Sequence, residues 1–259
     1  MKRITVQLVT LALLLVYQIG QAHHAPLPEG MNEAEATWLW GYHTVPASIT
    51  RDNKAYWYGY AHIDVKKINN PRWTEVASAQ IKPGAKAPAV LVLHGCGGIF
   101  RSPIAYRVFF MERGYAVIEP DSFARPGHSC NSYSLNKRTE ELDYAYKTIR
   151  ELPWVDQDRI VLMGISQGGL AVALWSKPGF AAHIILANNC DGGRPYAPAG
   201  TPVLAVVGGR DEVIKGSCKI TREVEGSRSI VIPEAPHAIL DYAETERAIG
   251  EFLSMSGLP

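Results

Sequence analysis

The sequence predicts an α/β fold: a mostly parallel central sheet of about eight strands with helices on both faces. Three observations predict it. Short apolar runs recur at 89–93, 116–119, 160–163, 184–187, 202–207 and 229–232, the pattern of strands buried on both faces. Between most of them lie helix-like stretches at 104–113, 139–151, 167–176 and 213–224, with a last helix at 242–254. Strand–helix alternation of this kind builds a parallel sheet. Finally, 259 residues that are 47% hydrophobic and 20% charged can bury one sizeable core.

The elements follow in order. Lys2 and Arg3 start a cationic segment, the run to Ile19 is mostly apolar, and Gly20-Gln21-Ala22 supplies small residues for cleavage. Residues 1–22 thus read as an export signal, with an uncleaved membrane anchor as the alternative. No second stretch is long and apolar enough to span a bilayer, so no stable membrane insertion is expected after cleavage, and the mature chain is expected to be periplasmic or secreted. Residues 23–55 lack clear periodicity and read as an N-terminal arm laid against the main domain. Trp38 and Trp40 within it are expected to pack onto that domain, a sugar- or polymer-binding platform being the other reading. Residues 56–64 and 73–81 alternate as early antiparallel-type strands. The Gly/Pro-rich stretch 190–201 is a loop on the functional edge of the sheet. Formal net charge is +1, with 26 basic against 25 acidic residues. A nucleic-acid partner is disfavoured, because phosphate binding needs a concentrated basic face.

The strongest chemical signal is Gly164-Ile165-Ser166-Gln167-Gly168-Gly169, between the strand 160–163 and an apolar helix. In that setting G-x-S-x-G forms a nucleophile elbow. Ser166 must sit on a sharp turn, and side chains at 164 and 168 would collide with the neighbouring strand and helix. The helix start behind Ser166 favours negative charge. A glycine-rich turn with an idle Ser is the bland alternative.

Leu93-His94-Gly95-Cys96-Gly97-Gly98 ends the first fully buried strand. Its glycines let the main chain turn amides toward a developing oxyanion. The expected donors are the backbone N–H groups of Cys96 and Gln167. His94 reads as a structural residue whose ring braces this loop. Asp211 ends the strand 202–207 at the carboxyl edge, where functional groups of open α/β sheets gather; Glu212, Asp121 and Asp191 also follow strands and compete for the role of acid. His237 lies in Glu234-Ala235-Pro236-His237-Ala238, after the last strand and before the final helix. It is placed to take the Ser166 proton and return it to a leaving group. The order Ser, Asp, His completes the pattern.

These residues resemble the dienelactone hydrolase family within the α/β-hydrolases, over roughly residues 75–255. The carriers are His94 to Gly98, Arg113-Gly114-Tyr115-Ala116-Val117-Ile118-Glu119-Pro120-Asp121-Ser122-Phe123, Asp156-Gln157-Asp158-Arg159-Ile160, the elbow, and the late Asp211 and His237. The resemblance implies an α/β-hydrolase fold, and the catalytic domain is expected over 56–259. It also implies hydrolysis of small-molecule esters or lactones through an acyl-enzyme, with no cofactor or metal. Well-known family members use a Cys nucleophile; Ser166 in its place points to a general esterase. Arg125 resembles one position that binds a substrate carboxylate, a plain surface Arg being the other reading, and Arg101, just past the oxyanion loop, is the lesser candidate. A serine peptidase or amidase would carry the same triad, and a non-catalytic binding protein on this fold is the third reading.

The four cysteines form no C-x-x-C pair, which gives zinc or thioredoxin-type chemistry little support. In the fold that the resemblance implies, Cys190 and Cys218 stand in neighbouring loops, and Cys96 and Cys130 follow adjacent strands. Disulfides Cys190–Cys218 and Cys96–Cys130 are therefore expected, with four reduced cysteines as the alternative.

Overall fold

The structure is a computed structural model and describes residues 30–59, 73–99, 104–124 and 128–259. The expected export signal, the start of the arm and residues 60–64 of the first alternating segment lie outside these. In chain order the elements are α1 (Glu33–Leu39), β1 (Tyr42–Val45), β2 (Tyr56–Tyr58), α2 (Trp73–Gln80), β3 (Ala87–Leu93), α3 (Ile104–Glu112) and β4 (Ala116–Glu119). They continue with α4 (Ser132–Glu151), β5 (Val155–Ile165), α5 (Gln167–Leu174), β6 (Ala182–Leu186), β7 (Val203–Gly208), β8 (Arg228–Ile232) and α6 (Ala243–Met255).

The strands form one eight-stranded sheet in the order β2-β1-β4-β3-β5-β6-β7-β8. From β4 to β8 every pairing is parallel. β1 runs antiparallel to both β2 and β4. All seven residues of β3 are buried, because its alternating side chains feed two cores. Ala89, Leu91 and Leu93 pack on one face with Trp73, Leu142, Ile149 and Val172, so α2, α4 and α5 cover that side. Val90 and Val92 pack on the other with Phe109, Phe110, Ile249 and Phe252, from α3 and α6. In α6 the buried Thr245, Ala248, Ile249, Phe252 and Leu253 recur at helical spacing and make one apolar stripe.

Three segments differ from the sequence expectation. Residues 73–80 form a helix and not a strand: Trp73 and Ala77, one helical turn apart, are the buried pair. Burial of the Trp73 ring outweighs the two-residue alternation; among the described residues, Ile81 alone of the expected strand pairs, bridged to Thr50. Part of the segment read as an arm enters the sheet itself, as β1, with His43 and Tyr42 in register with Ile118 and Glu119 of β4. Before β1, α1 is capped by Asn32, whose side-chain oxygen accepts from the Glu35 N–H at 2.9 Å. Residues 213–224 form no helix. Gly216 there has φ +77°, the Asn189 side chain donates to the Lys215 carbonyl, and Lys219 N–H donates to Gly193 O. These bonds, together with the tether at Cys218, satisfy the backbone in a non-helical path.

Trp38 and Trp40 are only 5% and 6% exposed, so neither offers an open platform. Trp38 lies 5.8 Å from Trp73 between ring centroids. The His43 ring stacks on Trp73 at 4.4 Å and its Nε2 lies 2.6 Å from the Trp38 carbonyl. Burial pushes the His43 pKa down to about 4, against the opposing pull of that carbonyl. A neutral ring therefore donates Nε2–H to Trp38 and fixes the turn into β1. Among the described residues, no helix is long and apolar enough to cross a membrane.

Candidate active site

β5 ends at Ile165 and α5 begins at Gln167, leaving Ser166 alone at the turn with φ 54° and ψ −115°. A non-glycine residue adopts such a backbone only when its surroundings enforce it. Here they do. Ser166 N–H donates to the Leu186 carbonyl of β6 at 2.8 Å, and the Asn188 side-chain amide donates to the Ser166 carbonyl at 3.1 Å. The flanking glycines allow the crowding. A Cβ at Gly164 would run into the Gly168 carbonyl, and one at Gly168 into the Leu93 carbonyl at the end of β3. The clash expected at 168 is thus with β3, which presses the following loop against the elbow.

Three side chains from separate parts of the chain meet there. His237 Nε2 lies 2.9 Å from Ser166 Oγ, and His237 Nδ1 lies 2.7 Å from Asp211 Oδ2. The other oxygen of Asp211 accepts the N–H groups of Val213 and Ile214, each at 2.8 Å. Burial raises the Asp211 pKa, but hydrogen bonds from Ile214, His237 and Val213 outweigh it and hold the carboxyl below its usual range. An ionised Asp211 is an acceptor only, so His237 carries its proton on Nδ1 and leaves Nε2 free to accept from the Ser166 hydroxyl. Of the competing acids, Asp121 instead lies 3.5 Å from His94 Nε2, while Glu212 and Asp191 are exposed.

The loop after β3 lies against the elbow: a Cβ on Gly95 would stand 3.1 Å from Ser166 Cβ. His94 is fully buried. Its Nδ1 is 2.7 Å from Gly95 O and its Nε2 accepts the Ser122 N–H at 3.0 Å, which places the ring proton on Nδ1. The ring thus bridges this loop to the one after β4. Ser122 Oγ in turn donates to Glu141 of α4, and buried Arg138 donates to the His94 carbonyl at 2.7 Å. Among the described residues, no group of three or more His, Cys, Asp or Glu side chains is arranged to hold a metal ion.

No protein-family model and no curated protein matches the sequence. Solved structures do. Esterase PE8 is similar over 66% of this chain and 93% of its own, at 16% identity and a TM-score of 0.50. Est1E from Butyrivibrio proteoclasticus is similar over 67% and 90%, at 19% identity and a TM-score of 0.50. A putative dienelactone hydrolase from Klebsiella pneumoniae covers 68% and 89%, at 17% identity and a TM-score of 0.47. The fold is that of the α/β-hydrolases.

Two disulfides staple this α/β-hydrolase fold at the edge that carries Ser166. Cys96 pairs with Cys130 and Cys190 with Cys218, and no cysteine among the four is free. The first joins the loop after β3 to the residues before α4. The second joins the loop after β6 to the one that follows Asp211. Arg101 and Arg125 lie outside the described residues. Asn188 escaped the sequence reading. Besides holding the Ser166 carbonyl, its side-chain oxygen accepts the Cys190 N–H at 2.8 Å, beside Ala187, Cys190 and Asp191, all at positive φ. Its only sequence signal is its place directly after a buried strand, at the carboxyl edge of the α/β-hydrolase sheet.

Proposed function

We propose that this chain is an exported serine hydrolase that cleaves small carboxylic esters or lactones through an acyl-enzyme on Ser166. The observation that carries the reading is the continuous Asp211–His237–Ser166 hydrogen-bonded relay, ending on a Ser held in a strained turn. His237 Nε2 takes the hydroxyl proton as Ser166 Oγ attacks the ester carbonyl carbon. Asp211 keeps the imidazole in the accepting tautomer and stabilises the imidazolium that forms. The backbone N–H groups of Cys96 and Gln167 receive the oxyanion. Collapse expels the alcohol, which takes the proton from His237. Water, deprotonated by the same imidazole, then releases the acid and restores Ser166.

Two lines support the finer parts of the proposal. An ester substrate accords with the fold shared with esterase PE8 over 93% of that protein, and the choice between ester and amide rests on the assays below. Export accords with two disulfides, bonds that persist in oxidising compartments. Residues 1–22 are proposed as the signal, and the catalytic domain, expected over 56–259, is proposed to take in β1 of the expected arm 23–55 as well, since β1 pairs with β2 and β4. Arg125 and Arg101 are proposed to meet a substrate carboxylate.

The test is turnover of p-nitrophenyl acetate by the wild-type protein and by Ser166→Ala. Burst kinetics and a Ser166-linked acetyl adduct are expected in the first and neither in the second. Equal turnover by both proteins would defeat the proposal. Parallel assays with matched p-nitrophenyl esters and p-nitroanilides separate an esterase from a peptidase or amidase.

A further inference from the structure

The two amides assigned to the oxyanion come from distant parts of the chain, yet their side chains are anchored at one place. Cys96 is bonded through sulfur to Cys130. Gln167 Nε2 donates to the carbonyl of the next residue, Asn131, at 3.0 Å. α4 starts immediately afterwards, and its Arg138 grips the His94 carbonyl. The stretch 130–138 therefore holds both sides of the gap into which an oxyanion would point. Cys96 otherwise stands among Gly95, Gly97 and Gly98, and glycine-rich backbone has wide conformational freedom. The Gly95 carbonyl, in the same peptide plane as the Cys96 N–H, accepts from His94 Nδ1 at 2.7 Å and from the Gly98 N–H at 3.1 Å; the disulfide adds a hold on the other side of that amide, through the Cys96 side chain.

We propose that the Cys96–Cys130 disulfide and the Gln167 carboxamide are positioning groups that aim the Cys96 and Gln167 amides, so that full turnover requires the disulfide closed. This rests on the serine-hydrolase reading above. Neither side chain touches the reacting atoms; each acts through the backbone it holds. The bond is also open to control. Cys96 and Cys130 are exposed, whereas Cys190 and Cys218 are buried. A small dithiol reaches the first pair before the second. Two-electron reduction leaves thiols on Cys96 and Cys130 and converts the dithiol to its own cyclic disulfide.

The test uses the full chain with p-nitrophenyl acetate and a matched pair of oxo- and thionoesters. In Cys96→Ser/Cys130→Ser, kcat should fall about 10- to 100-fold, the scale of a misaimed or lost oxyanion donor. KM should stay within about threefold, because the lost interaction forms only in the transition state. The preference for the oxoester should narrow, because a thiocarbonyl sulfur accepts hydrogen bonds poorly; a fold defect alone would not move that ratio. Gln167→Ala, which keeps its amide, should lose roughly 3- to 10-fold in kcat by the same argument. If the double variant does not fold, graded reduction of the wild type takes its place. Activity should then fall in step with thiols on Cys96 and Cys130, counted by mass spectrometry, and return on reoxidation. Wild-type kcat with this bond open, beside an inactive Ser166→Ala, would overturn the inference and leave the serine-hydrolase reading standing. A rise in KM at unchanged kcat would overturn it as well. An active Ser166→Ala would instead remove the reading on which it rests.

Discussion

Replacing Asp211 by Asn tests the relay at its least visible point, the direction in which His237 holds its proton. One Asp211 oxygen accepts two backbone N–H groups, from Val213 and Ile214, and the other faces His237 Nδ1. An Asn side chain has one oxygen, and the two amides claim it. Its NH2 group must then face Nδ1, which can meet it only as an acceptor. The ring proton moves to Nε2, and the atom that should receive the Ser166 proton becomes a donor. A wrong tautomer in such a relay lowers kcat by about 10⁴-fold, on the order of 5 kcal/mol. Stability should barely change, because the bonds to Val213 and Ile214 survive. Asp211→Ala should also lose activity, but it strips partners from those two amides and should destabilise the protein by about 1–3 kcal/mol. The assay is kcat on an activated ester beside thermal melting of both variants. Asp211→Asn keeping more than about a tenth of wild-type kcat would refute the tautomer argument, since that loss corresponds to only about 1.4 kcal/mol.

Three further outcomes are expected. His43 and His183 are buried, and desolvation lowers their pKa values to about 4 and about 3. Below about pH 6.5 the unfolded chain binds protons that the folded one refuses, so stability falls as pH drops and levels off below those folded values. Urea melts at pH 7 and pH 5 should differ by about 2 kcal/mol per histidine, and His183→Leu should flatten the dependence; equal midpoints in the wild type would contradict this. Gly168→Ala drives a methyl group into the Leu93 and His94 carbonyls, and should cost about 1–3 kcal/mol and most of the activity, read by melting and ester turnover. Removing the Cys190–Cys218 bond, which spans 28 positions, should lower unfolding free energy in denaturant by about 3 kcal/mol.

The legible parts of this chain are those where the deciding interaction is local. β3 and β7 are continuous apolar runs because both their faces are covered, so the sequence writes them without ambiguity. The elbow is plain because Gly164 and Gly168 meet within one turn, although the contact that requires glycine at 168 comes from the distant end of β3. Residues 73–81 misled because alternate apolar positions fit a strand as well as a helix, and the choice fell to a distant Trp cluster. β1 was hidden by its shortness: four residues seated between β2 and β4 leave no periodicity to detect. The tail 213–224 has helix-compatible residues, but its backbone partners lie in the loop around Asn189 and Gly193, which only the sheet order brings close. Asn188 belongs to the same class. Its bond to Ser166 crosses 22 positions of sequence and exists because β5 and β6 are neighbours.

The placement of β1 bears on how the molecule assembles. Its hydrogen-bonded neighbours are β2, just after it, and β4, whose Ile118 meets His43 from a distant part of the chain. A chain emerging from its amino end can pair β1 with β2 at once, but a lone two-stranded hairpin is barely stable in water. It gains a lasting seat only after β3 and β4 have met, and bringing such remote segments together is a slow step. The first sheet residues to be made are thus expected to be among the last to settle, and pulsed hydrogen exchange during refolding should see the Val45 and Tyr56 amides protected after those of Leu91 and Leu162.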